Sequence, residues 1–166
     1  DAITGREREV LNVENKVEDV TQALMTMAKG STKTEQVNEL TKQIISESVA
    51  AEYAALGITS DPMSLYENTR ITGNFGRKKK KMPTIGSWYR RLEHMAQEND
   101  NDDYRFHYSY LLKVMKQYIR EFGGQMAYFD GQSSFELLDG SPFINIDISQ
   151  LEERFARPLA QQILLS

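Results

Sequence analysis

Arg77-Lys78-Lys79-Lys80-Lys81 is an uninterrupted run of five cations, the side-chain type that contacts phosphates. Each phosphate neutralised in this way adds a salt-dependent increment to affinity. No aromatic residue interleaves the run to stack on bases, and Gly73-Asn74-Phe75-Gly76 just before it only weakly imitates a phosphate-gripping loop. The expectation is a solvated, mobile loop that adds nothing to stability. Contact with nucleic acid or an acidic surface through Arg77, Lys78, Lys79, Lys80 and Lys81 is the alternative.

Phe143-Ile144-Asn145-Ile146-Asp147 superficially matches the apolar strand and terminal Asp that hold magnesium in nucleotide-hydrolysing motors. Asn145 interrupts the apolar run, Ile148 stands where a glutamate often follows, and no Gly-x-x-x-x-Gly-Lys-[Ser/Thr] occurs anywhere in the chain. A buried strand whose Asp caps the next turn fits better. Asp100, Asp102 and Asp103 lack the glycine and distal glutamate of a calcium loop, and they favour the start of a following helix. His94 and His107 fall on different predicted helices without a further ligand at metal spacing. No Ser-His-Asp set assembles. The absence of cysteine removes disulfides, thiolate zinc sites and Cys nucleophiles. No catalytic, metal or cofactor residue is therefore assigned in this chain.

The elements that position these residues are mostly helical. Thr4-Gly5-Arg6-Glu7 has capping-box spacing. From there Val10, Val13, Val17, Val20, Leu24 and Met27 make an apolar stripe on a helix ending near Lys29-Gly30. A second helix is expected from Thr34 to Leu56, burying Val37, Leu40, Ile44, Ala51 and Ala55, with Gly57-Ile58 as a left-handed cap. Two long helices joined by a short polar turn pack as an antiparallel hairpin. The heptad stripe is expected to be its seam rather than a coiled coil with another chain. After the disorderly stretch from Thr59 to Lys81, Met82-Pro83-Thr84 starts a helix carrying Ile85, Trp88, Tyr89, Leu92 and Met95. A fourth helix follows from Tyr104 to Phe122, closed by Gly123-Gly124. Ser133-Leu137 and Phe143-Ile148 have strand character, with a turn at Asp139-Gly140 and a last helix from Ser149 that Pro158 kinks.

The composition is that of an ordinary folded chain: 166 residues, 40% hydrophobic and 27% charged, with a net charge of -4. That sign gives no global attraction to nucleic acid or anionic membrane. The longest apolar runs fall far short of the roughly 20 residues that span a bilayer. Without an initiator Met, a signal pattern or a polar last turn, both ends are expected to be cuts from a longer, cytoplasmic chain.

Four blocks in order are similar to one family. They are Ala51-Glu52-Tyr53 through Gly57-Ile58-Thr59, Met82-Pro83-Thr84 through Trp88-Tyr89, Phe129-Asp130-Gly131-Gln132-Ser133, and Phe143-Ile144-Asn145-Ile146-Asp147-Ile148-Ser149-Gln150-Leu151, which Arg157-Pro158-Leu159-Ala160 continues. Together they resemble the large conjugative-transfer ATPases of type IV secretion systems, the TraE/TraC type, over about two thirds of the chain. The resemblance implies an internal segment of a RecA-like ATPase domain. Residues 1–125 would be a helical subdomain, and 126–166 short strands and a helix returning to the ATPase sheet. It also implies a parent motor, hexameric and using ATP and magnesium, at the inner face of the cytoplasmic membrane, with other secretion-system subunits as partners. No nucleotide-binding residue of that family has a counterpart in this chain.

The expectation is thus a mainly α fold: a helical hairpin, two further helices, a small β element and a final helix. Its expected role is subunit or partner contact within such a motor. The alternative is a free-standing helical adaptor that touches nucleic acid through the basic run.

Overall fold

Asn12 opens the first helix, its side-chain oxygen accepting the Asn15 N–H at 3.0 Å. The computed structural model describes residues 10–29, 39–67, 78–132 and Phe135. Within them the chain is helical, with α1 at Val13–Lys29, α2 at Glu39–Ala55, α3 at Ile85–Glu98 and α4 at Asp102–Met115. The Thr4–Glu7 capping spacing lies outside the described residues. Val10, expected on the buried stripe, instead precedes α1 and is 68% exposed. Its neighbour Leu11 is tied back by an N–H donated to the Ser60 carbonyl at 2.9 Å.

The rest of the stripe behaves as its period dictates. Val20, Leu24 and Met27 are fully buried, while Val13 and Val17 are partly covered. They share one core with Ile44, Ile45 and Val49 of α2. Val13 lies beside Ala54 and Ile58, and Glu18 pairs with Lys42 at 3.2 Å, so α1 and α2 run antiparallel. The stripe is an intramolecular seam, as expected.

On α2 the buried face differs from the one expected. Thr41, Ile44, Ile45, Ser48, Val49, Glu52 and Tyr53 are buried, whereas Ala55 is exposed and Leu40 and Ala51 are only partly covered. The reason is that α2 packs on α1, α3 and α4 at once. Three of its inward positions are polar because neighbouring helices supply their partners: Thr41 Oγ1 lies 3.0 Å from His107 Nδ1, and Ser48 and Glu52 meet α3. A polar stripe with partners folds inward at little net cost, whereas unpartnered it would face water.

Gly57 ends α2 with φ +69. Ile58 N–H returns to the Tyr53 carbonyl at 3.1 Å and Gly57 N–H to that of Ala54 at 2.9 Å, the paired bonds of a Schellman turn. Thr84 caps α3 with a reciprocal bond to Ser87, in the place where a glutamate more often stands. Trp88, Tyr89 and Leu92 then enter the core.

The fourth helix is shorter than its apolar spacing predicts. Asn101 caps it and Asp102 and Asp103 occupy its first turn, but α-helical geometry stops at Met115. Two 3-10 turns follow at Lys116–Tyr118 and Arg120–Phe122, separated by extended Ile119. This change of winding buries Tyr118 and Ile119 side by side and leaves Phe122 half exposed, edge-on to the Tyr89 ring. Gly124 tucks against the same turn, where a Cβ would come within 2.2 Å of the Gln117 carbonyl oxygen. No side chain fits there.

The second half of the expected β element, Phe143–Ile148, and the last helix lie outside the described residues. Phe135, the described member of the first expected strand, is helical in conformation and buried, its ring 6.2 Å from that of Tyr53. No named strand occurs among the described residues. No helix among them is long and apolar enough to cross a membrane.

Candidate functional site

Lys78 to Lys81 are held against the chain that follows a 3-10 turn at Pro62–Leu65. Tyr66 and Lys79 form an isolated antiparallel bridge, with Glu67 N–H donating to Lys78 and Lys80 N–H to Leu65, both at 2.8 Å. Asp61 opens that 3-10 turn by accepting the Met63 N–H at 2.9 Å. Lys78 pairs with Glu67 at 3.8 Å in a solvent-exposed contact. Lys80 turns inward, and its ammonium donates to the Leu56 carbonyl at 2.6 Å. That carbonyl lies just past the last residue of α2, at the negative end of the helix.

The expectation of a solvated loop without structural role is therefore corrected at Lys80, which caps a core helix. Lys79 and Lys81 are exposed. Arg77 lies outside the described residues, as does Gly73-Asn74-Phe75-Gly76.

A second cluster joins three segments distant in sequence. Glu52, near the end of α2, is 8% exposed. It accepts from Ser87 Oγ at 3.0 Å through one carboxylate oxygen and pairs with Arg91 Nε through the other. One turn back on α2, Ser48 Oγ accepts the Trp88 indole N–H at 2.7 Å, and itself donates to the Ile45 carbonyl. Asp130 reaches the same helix start from the other side. Its Oδ1 accepts the Gly86 N–H at 3.0 Å and its Oδ2 the Arg120 N–H at 2.8 Å. Tyr53, next to Glu52 in sequence, packs its ring against Phe135.

The N-terminus of α3 thus has a carboxylate on each side, Glu52 and Asp130, both favoured by the positive end of the helix. Chemically this is an anchoring device. Both oxygens of each carboxylate are committed to donors within the chain, so neither is placed as a free base or ligand.

His94 pairs with Glu98 at 3.1 Å on the surface of α3, far in role from His107, which faces Thr41. Among the described residues no group of three or more acidic or histidine side chains is placed to hold a metal ion. Asp102 pairs with Arg105, and Asp103 N–H is held by Asn101, so both serve the helix start. Asp147 lies outside the described residues.

No family model, curated protein or solved structure matches the chain.

Residue spacing marks neither the inward turn of Lys80 nor the Glu52–Arg91–Ser87 link. The hydroxyl pair Thr84-x-x-Ser87 was the one local signal, since it matches a capping box built with serine. Nothing local marks Glu52, whose partners lie 35 and 39 residues away.

Proposed function

We propose that this chain is a helical contact module of an ATP-driven conjugation or type IV secretion motor, joining the motor to neighbouring subunits and doing no chemistry itself. The observation that supports the reading is a convergence. Three of the four blocks that carry the resemblance meet at one junction: Glu52 from the first, Thr84, Gly86 and Ser87 from the second, Asp130 from the third. Through the Glu52–Ser87 and Asp130–Gly86 bonds these blocks hold one another in place. The parent would supply ATP, magnesium and the oligomer, at the inner face of the cytoplasmic membrane.

The natural reading frame around this segment provides the test. A phosphate-binding loop before it, an Asp-Glu strand after it, and ATP hydrolysis by the full-length product are the expected results. A reading frame with neither motif, or a full-length product without ATPase activity, overturns the motor assignment.

A further inference from the structure

A cleft of about 250 Å³ opens where the first half of α3 meets the 3-10 turns that follow α4. Tyr89 and Phe122 wall it with their rings, set edge-on at 5.4 Å, and Ile119 adds an apolar side chain. Three charged residues also line it: Arg90 and Glu93 from α3, and Glu121 from the turn. Arg90 and Glu121 are paired with each other.

Glu93 is different. It is half-buried, one turn along α3 from Tyr89, and among the described residues it makes neither a hydrogen bond nor an ion pair. The nearby cations are committed elsewhere, Arg90 to Glu121 and Lys116 to the Phe122 ring, 5.5 Å from its centroid. The Glu93 charge therefore acts on its surroundings: the Tyr89 hydroxyl is raised first by burial and then by this carboxylate. A half-buried carboxylate without a counter-charge, beside a half-exposed ring, is the chemistry that takes up a cation with an apolar stem.

We infer that this cleft receives an arginine side chain of a partner protein, its guanidinium on the Glu93 carboxylate and its aliphatic stem against Phe122. The inference gives the contact role proposed above one point of attachment and rests on that part of the reading. Arginine suits the cleft better than lysine, because its planar fork can offer a carboxylate two parallel bonds. It is also more weakly hydrated and packs readily on aromatic rings.

The test follows the backbone amide signals of the whole chain by NMR while a blocked tripeptide, arginine between two glycines, is titrated in. A second tripeptide carries citrulline, the neutral isostere of arginine, and a third carries lysine. Saturable shifts centred on Glu93 and Phe122 are expected with the arginine peptide, with a Kd of roughly 1 mM. Citrulline should bind about tenfold more weakly and lysine about threefold more weakly. Glu93→Gln should erase the preference for arginine over citrulline while leaving signals remote from the cleft in place. Glu98→Gln, on the same helix but already paired with His94, should change nothing.

Equal binding of arginine and citrulline, a preference that survives Glu93→Gln, or lysine binding as tightly as arginine overturns the inference. So does the absence of any saturable shift. Glu93 shifts that grow with protein concentration alone would assign the cleft to a second copy and overturn it as well. None of these outcomes depends on ATP hydrolysis by the full-length product, so the motor assignment is judged separately.

Discussion

The Lys80 ammonium adds a donor to a helix end whose Tyr53 and Ala54 carbonyls are already met by backbone N–H groups, and its removal has a calculable effect. Lys80→Met keeps the aliphatic stem and deletes one charge-assisted bond that is partly open to water. The expected loss is about 1 kcal/mol, seen as a drop in melting temperature of about 2–4 °C. Lys78→Met, whose ion pair with Glu67 is exposed, should change melting by less than half as much. Equal effects for the two variants would remove the capping role. Nothing in five like charges marks which one turns inward; the backbone pairing of Tyr66 with Lys79 decides it. Gly123 and Gly124 make a second residue-scale contrast. Gly123 has φ +66 with open space around a Cβ, so Gly123→Ala costs only backbone strain, about 1 kcal/mol. Gly124→Ala must move the Gln117 carbonyl and is expected to cost at least about 2 kcal/mol by chemical denaturation.

Between elements, the contact of α2 with α3 rests on a buried carboxylate. Arg91→Ala leaves Glu52 with Ser87 as its remaining described side-chain partner, and the expected loss is about 2–3 kcal/mol. The double variant Glu52→Met with Arg91→Met should recover most of that loss, because no uncompensated charge remains. A double-mutant cycle with coupling under about 0.5 kcal/mol would rule out the linkage. Asp130→Ala withdraws acceptors from Gly86 and Arg120 and should cost about 1–2 kcal/mol, while Asp130→Asn keeps one acceptor and costs less. Periodicity placed α1, α3 and the cap at Gly57 because one apolar stripe and one glycine suffice for each. It misjudged the inward face of α2, since a helix with three neighbours has no single apolar stripe. The end of α4 was illegible for a related reason: Ile119 and Phe122 continue the helical spacing of Met115, yet the chain changes winding, burying Tyr118 beside Ile119 and leaving Phe122 half exposed.

For the whole molecule, the hairpin and the two further helices were readable from pattern, whereas the junction that joins them depends on pairs more than thirty residues apart. Three tyrosines couple the assembled core to pH. Burial pushes the Tyr118 hydroxyl well above its ordinary value, and burial likewise raises Tyr89 and Tyr108. A raised folded value means that their contribution is complete below the unfolded tyrosine pKa of about 10 and is lost as pH climbs beyond it. Unfolding with rising pH should therefore begin above about pH 10 and coincide with the ionisation of the last tyrosines to titrate. Ionisation of all eight tyrosines before any loss of helix signal would contradict this. Near neutrality the net charge of -4 and the internal use of Lys78 and Lys80 both oppose polyanion binding. No nucleic-acid complex is expected near physiological salt; micromolar, salt-steep anisotropy binding would favour the adaptor alternative instead.

Tyr118 and Tyr110 donate to the Met27 and Ala28 carbonyls at 3.1 and 3.0 Å, so the last turn of α1 is completed by side chains 91 and 82 residues downstream. During synthesis α1 therefore leaves the ribosome long before its terminal carbonyls can meet these hydroxyls. A nascent chain halted soon after α3 would hold α1 with a frayed end, its amides open to solvent exchange. Release of Tyr110 and Tyr118 from the exit tunnel would close that end, so that α1 locks only after α4 has been made.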